Sequence, residues 1–182
     1  PSASCFDKIV TSKGVRSKSR RDYLYTLAGE TIIKAKAETF QSAKMAQAIE
    51  MEDEARKYLE YQTEEDVEQV ALCYKDDKKL FSCSPDGLLG SGGGLEIKCP
   101  NLNTHVGYML GNKLPTKYVQ QVQGSLFITG RKYWSFVSYY PGMPLFRVDV
   151  TPDKDFHEKL GTELDSFCND LADVVEQLRA YK

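Results

Sequence analysis

The chain has 182 residues, of which 41% are hydrophobic and 27% charged, and its formal net charge is −2. That length supports a single domain, 1–182, with a proper core, and the composition is that of a soluble globular protein rather than a disordered or membrane one. No apolar run approaches a bilayer span and no secretory signal is visible; the slight negative charge argues against a general nucleic-acid coat but not against an enzyme with a local basic rim.

In chain order, residues 1–22 are rich in Ser, Lys and Arg and are expected to be irregular after a short helical turn. Because the chain begins with Pro1 rather than Met, an incomplete N-terminus is expected. Helical signals (Leu24, Leu27, Ala28, Ile32) run over 22–39, and a second helix is predicted over 42–61. The apolar stripe of that second helix is Met45, Ala48, Ile49, Ala55 and Leu59, close to the i, i+3, i+4, i+7 template. Glu52 falls where the stripe calls for a hydrophobe. A carboxylate on an inward face costs several kcal/mol unless a cation meets it, so Glu52 is a candidate site residue.

From Val67 the pattern shortens to strands over 68–74, 80–84 and 87–89, with Asp76-Asp77 as a turn. The run 90–94, Gly-Ser-Gly-Gly-Gly, reads as a hairpin loop, and 95–99 as the returning strand. It connects strands and opens no helix, so it is not read as a phosphate cradle. A loop or short helix over 104–110 follows, then a helix over 115–128 with Pro115 in its first turn. Residues 132–140 and 145–150 are strands, and 153–180 is an amphipathic helix carrying Phe156, Leu160, Leu164, Phe167, Leu171 and Leu178. The expected fold is α/β, a mixed central sheet flanked by helices in three layers.

The chemistry concentrates in the middle of the chain. Asp86 stands at the turn Ser84-Pro85-Asp86-Gly87, while Glu96 and Lys98, two apart in a strand, leave the same face and Ile97 the other. Two carboxylates and an ammonium then converge, an arrangement suited to a hard divalent cation, Mg²⁺ or Mn²⁺, beside a phosphate. The Ile97 carbonyl can add an oxygen, and Lys98 can orient an attacking water. The plainer alternative is an exposed Glu–Lys pair on a strand with Asp86 merely opening a turn. The hairpin spacing and the inward Glu52 favour the site. Gln121 and Gln123 are surface filler unless their helix packs over this strand, when one amide can reach the site. His105 and His157 are too isolated for a metal site or triad; His105 reads as a loop residue that can touch substrate, His157 as a surface residue. The aromatic residues at 133–140 read as core. The five cysteines include no C-x-x-C pair, which excludes a zinc knuckle or disulfide framework and suits buried thiols in a reducing cytoplasm.

Together the segments Pro85-Asp86-Gly87, Leu95-Glu96-Ile97-Lys98-Cys99-Pro100, Glu52 to Glu60 and Tyr118 to Gln123 resemble the lambda-exonuclease-like viral recombinases of the PD-(D/E)XK nuclease superfamily. Ser2-Ala3-Ser4 before Phe6 and Ile9 is similar to the family's entry helix. The resemblance implies a restriction-endonuclease-like core and a nuclease that digests double-stranded DNA 5′→3′ from linear ends, releasing mononucleotides for recombination beside a single-strand annealing protein. It implies two cations per site, with Asp86, Glu96 and the Ile97 carbonyl as ligands, Glu52 as a further acidic residue, Lys98 as the catalytic lysine and Gln121 near the nucleophilic water. A homotrimeric ring enclosing DNA would supply processivity without strong positive charge. The basic residue with which the family grips a terminal phosphate would precede Pro1, and relatives with an iron–sulfur cluster need C-terminal cysteines that this sequence lacks. Two alternatives stand beside this reading: an endonuclease or single-strand nuclease on the same core, and a non-catalytic DNA-binding subunit.

Overall fold

The computed structural model describes residues 1–36 and 43–181, with backbone alone for 43–50. A five-stranded mixed sheet organises the chain, in the order β1 (Val67–Glu68), β4 (Gly87–Leu89), β5 (Gly93–Lys98), β6 (Tyr133–Ser138), β7 (Phe146–Val150). The β5–β6 pair is parallel and its neighbours are antiparallel. A parallel pair needs a crossover, and here α3 (Leu102–Gly111) and α4 (Val119–Thr129) provide it. A separate ribbon pairs β2 (Cys73–Tyr74) with β3 (Ser82–Cys83).

Strand alternation divides the core between two faces. Leu95, Ile97 and Val137 pack against Ala55 and Leu59 of α2 (Ala43–Thr63). On the opposite face Trp134 and Phe136 pack against Val122 and Leu126 of α4. A third cluster joins the N-terminal 3₁₀ turn (Ala3–Lys8) and α1 (Arg20–Ile33) to α5 (Lys154–Ala180) through Phe6, Leu24, Leu160, Leu164 and Phe167. Asp153 caps α5 by accepting from the Phe156 N–H at 3.0 Å. Two arginines of the basic N-terminal stretch are engaged: Arg16 pairs with Glu163 (2.9 Å) and Arg20 with Asp170 (2.7 Å), both on α5.

Several boundaries differ from expectation. Helix α1 ends at Ile33, where Lys34 turns left-handed (φ 56°), and the predicted tail to Thr39 lies partly outside the described residues. Helix α2 starts at Ala43; Ser42 and the side chains of Met45, Ala48 and Ile49 lie outside the described residues, whereas Ala55 and Leu59 are buried as expected. The predicted strand over 68–74 splits between the two sheets, because Val67 is held over Gly87 at the edge of the main sheet and the chain then peels away. Residues 104–110 are helical within α3, and 116–118 form a 3₁₀ turn ahead of α4. No helix among the described residues is long and apolar enough to cross a membrane.

The glycine-rich run is only partly loop. Gly93 and Gly94 belong to β5, and the rings of their register partners Tyr133 and Trp134 fold over them. A Cβ on Gly94 would lie 2.2 Å from the Trp134 ring, so no other residue fits without displacing a fully buried indole. Gly94→Ala should therefore destabilise the protein by about 1–3 kcal/mol, the usual cost of overpacking, measurable by denaturant unfolding. Gly90→Ala, in the loop and with open space around it, should cost less despite its positive φ (49°).

Candidate active site

The site grows out of the β4–β5 hairpin. The regular pairing ends at Gly87 and Leu95, and at the bend just before it the Asp86 N–H also donates to the Leu95 carbonyl (3.1 Å). Asp86 thus lies beside the second half of β5, within electrostatic reach of Glu96. Lys98, two residues on from Glu96, shares the face of Glu96 and forms an ion pair with its Oε1. Helix α4 packs over the same face and aims Gln121 inward, its Nε2 donating to the same Glu96 oxygen. Asp86 is fixed from both ends: its Oδ2 accepts from the Ile97 N–H (2.6 Å) and its backbone carbonyl accepts from Arg56 Nε (3.2 Å). Because an extended residue sends N–H and C=O to the same side, the Ile97 carbonyl also faces the Asp86 edge.

Glu52 arrives from α2, on the other face. It is half-buried, and the charges of Asp86, Lys98 and Arg56 all act on it, but it makes no hydrogen bond or ion pair with another described side chain. The structure thus joins Glu96, Lys98 and Gln121 through direct contacts, holds Asp86 beside them through the Ile97 N–H, and leaves Glu52 within electrostatic reach. Arg56 is the participant that the sequence reading missed; its position one helical turn after Glu52 was the available signal. His105 departs from its predicted place. It lies in α3, fully buried, with Nδ1 against Ser138 Oγ (2.8 Å) and Nε2 against the Pro144 carbonyl (3.1 Å), so it braces β6 and is not a substrate-facing loop residue. His157 is half-buried rather than on the surface.

Burial controls the electrostatics. Glu96 is pushed up to about 7, by burial first and by Asp86 also, against the pull of Lys98. Burial likewise raises Asp86, with Lys98 and the Ile97 N–H opposing. For Glu52, burial leads and Asp86 adds to the rise. Burial works against the charge of Lys98, but Glu96 and Asp86 outweigh it and hold the amine above its usual range. A concentration of buried negative charge relieved by one lysine is what an added cation would stabilise.

The donor set fits a hard ion. Among the described residues no hydrogen bond reaches Asp86 Oδ1 or Glu96 Oε2, so each carboxylate keeps an oxygen available while its other oxygen is anchored. No three His, Cys, Asp or Glu side chains among the described residues form a ready metal cluster. Few protein ligands, all of them oxygen, suit Mg²⁺, which keeps waters and takes substrate phosphate for the rest of its shell.

Residues 1–132 match the YqaJ-like viral recombinase domain. The fold is similar to an alkaline exonuclease (LHK-Exo) from Laribacter hongkongensis, at 30% identity and TM-score 0.89 over 98% of this chain and 91% of that one. The same exonuclease in complex with dAMP aligns at 29% identity and TM-score 0.88 over 98% and 90%. A phage related exonuclease from Haemophilus somnus 129PT shares the fold, at 13% identity and TM-score 0.75 over 97% and 95%. No curated protein matches the sequence.

Glu96 also makes a prediction about stability. A carboxyl whose folded pKa is raised to about 7 binds its proton more tightly when folded. Its contribution is full below the ordinary carboxyl range and is lost as pH rises towards 7. Without divalent ions, urea unfolding should therefore show stability falling by roughly 1–3 kcal/mol between pH 4.5 and 7.5, and Glu96→Gln should flatten that fall.

Proposed function

This chain belongs to the YqaJ-like viral recombinase family, and we propose that it is a Mg²⁺- or Mn²⁺-dependent nuclease that degrades linear double-stranded DNA from its 5′ ends to mononucleotides. The observation that carries this reading is the gathering of Asp86, held by the Ile97 N–H, with the buried Glu96 and its ion-paired Lys98 at the end of the hairpin. The names of the relatives point the same way: an alkaline exonuclease, also solved with dAMP. Asp86, Glu96 and the Ile97 carbonyl would hold the cations, two per site, with Glu52 as a further acidic residue. Bound there, divalent ions supply Lewis-acid charge at the phosphate and water of lowered pKa.

The chain's own groups do the rest. Lys98 orients the attacking water and offsets charge on the phosphate. Gln121, whose amide rests on Glu96, would hold that water from the α4 side. Asp86 is kept in place by the Ile97 N–H and by Arg56, so its other oxygen would be held ready for a bound ion. The wider reading is a ring of three subunits around DNA, a single-strand annealing protein as partner, and the bacterial cytoplasm as the setting for a phage or prophage product.

Linear duplex labelled at either end, incubated with Mg²⁺, tests this. Release of the 5′ label as mononucleotide is expected, abolished by EDTA and reduced at least about a hundredfold by Lys98→Ala. Cutting of closed circles would move the protein to the endonucleases, and activity surviving Glu96→Ala would remove the site.

A further inference from the structure

Beside the metal-facing residues lies a cation that the reaction scheme above does not use. Tyr118 packs its ring on buried Phe136, with centroids 5.0 Å apart. Two amines lie over that one ring: Lys98 Nζ at 5.8 Å from its centroid and Lys117 Nζ at 4.8 Å. Lys117 also lies 5.6 Å from the Tyr108 ring. A second route leads to the same place. Gln121 touches Glu96, and Lys117 lies four residues before it, in the 3₁₀ turn that leads into α4. Lys98 and Arg56 are already engaged with carboxylates, whereas Lys117 is exposed and forms no ion pair among the described residues.

We propose that Lys117 binds a backbone phosphate of the DNA strand adjacent to the phosphate being cut, with Tyr108 and Tyr118 as the platform that steers its ammonium. This inference rests on the nuclease reading. A flexible surface lysine would ordinarily be spread over many rotamers. Two aromatic faces narrow that spread by cation–π attraction and leave the ammonium's outward hydrogens for an anion. The placement also answers a problem of charge. The protein carries a net −2, its arginines at 16 and 20 are tied to α5, and the site itself is acidic, so the polyanion needs a local cation at the rim.

Each phosphate contact releases condensed counterion, so losing one lowers the log–log salt slope of DNA engagement by about 0.9. The test is kcat/KM for Mg²⁺-dependent digestion of linear duplex between 50 and 200 mM NaCl. Wild type should fall over that range by about threefold to fourfold more than Lys117→Gln, with the loss in the variant mainly in KM; Lys117→Arg should restore the wild-type slope. Arg179→Gln, which removes the same charge from the last turn of α5, controls for net charge. An unchanged slope in Lys117→Gln, or an equal change in Arg179→Gln, would overturn the assignment while leaving the nuclease reading intact. Absence of digestion by wild type would instead sink the nuclease reading.

Discussion

Burying two neighbouring carboxylates is the constraint around which this molecule is arranged. Asp86 and Glu96 lie within electrostatic reach of each other at the end of a hairpin, and burial drives each towards its neutral form. Left alone, such a pair costs several kcal/mol and would push the hairpin apart. Lys98, the Gln121 amide, the Ile97 N–H and the Arg56 guanidinium hold it together, and they come from a strand and from helices on both faces of the sheet. The layers are thus joined at the place where stability is most expensive, a common sign that a site is kept for chemistry rather than for packing.

The glycines and aromatic residues upstream make that arrangement affordable in space. The indole of Trp134 lies across Gly94 and the phenol of Tyr133 across Gly93, so the first half of β5 is covered by its parallel neighbour. Gly124 similarly admits Phe6 against α4; a Cβ there would stand 2.5 Å from the Phe6 ring. Trp134, lying over Gly94, joins the cluster on which Val122 and Leu126 of α4 pack, and α4 carries Gln121 and continues from the turn bearing Lys117 and Tyr118. Small residues far from the chemistry fix where polar ones arrive.

Much of the site was legible because its logic is local. The strand period alone put Glu96 and Lys98 on one face and Ile97 on the other, and the turn at Ser84-Pro85-Asp86-Gly87 lay at hairpin distance. What resisted reading depends on residues distant in the chain. Gly93 and Gly94 look like loop until Tyr133 and Trp134, forty positions later, are seen to cover them. The stretch after Val67 looks like one strand because nothing in its own pattern says that two sheets will share it. His105 seems a loop histidine until Ser138 and Pro144 enclose it. Among neighbouring glutamines, only the packing of α4 separates Gln121, which meets Glu96, from Gln123, which turns to the Thr151 carbonyl.

The ties between Arg16 and Glu163, and between Arg20 and Asp170, join positions about 150 residues apart. Phe6, Leu24, Leu160 and Phe167 share one cluster across the same separation. During synthesis Leu24 therefore keeps apolar surface uncovered until Leu160 and Phe167 of α5 have been made. A polypeptide halted before α5 would hold every carboxylate of the hairpin, with Phe6 already able to meet Gly124 of α4, yet Arg16, Arg20 and Leu24 would lack their partners on α5.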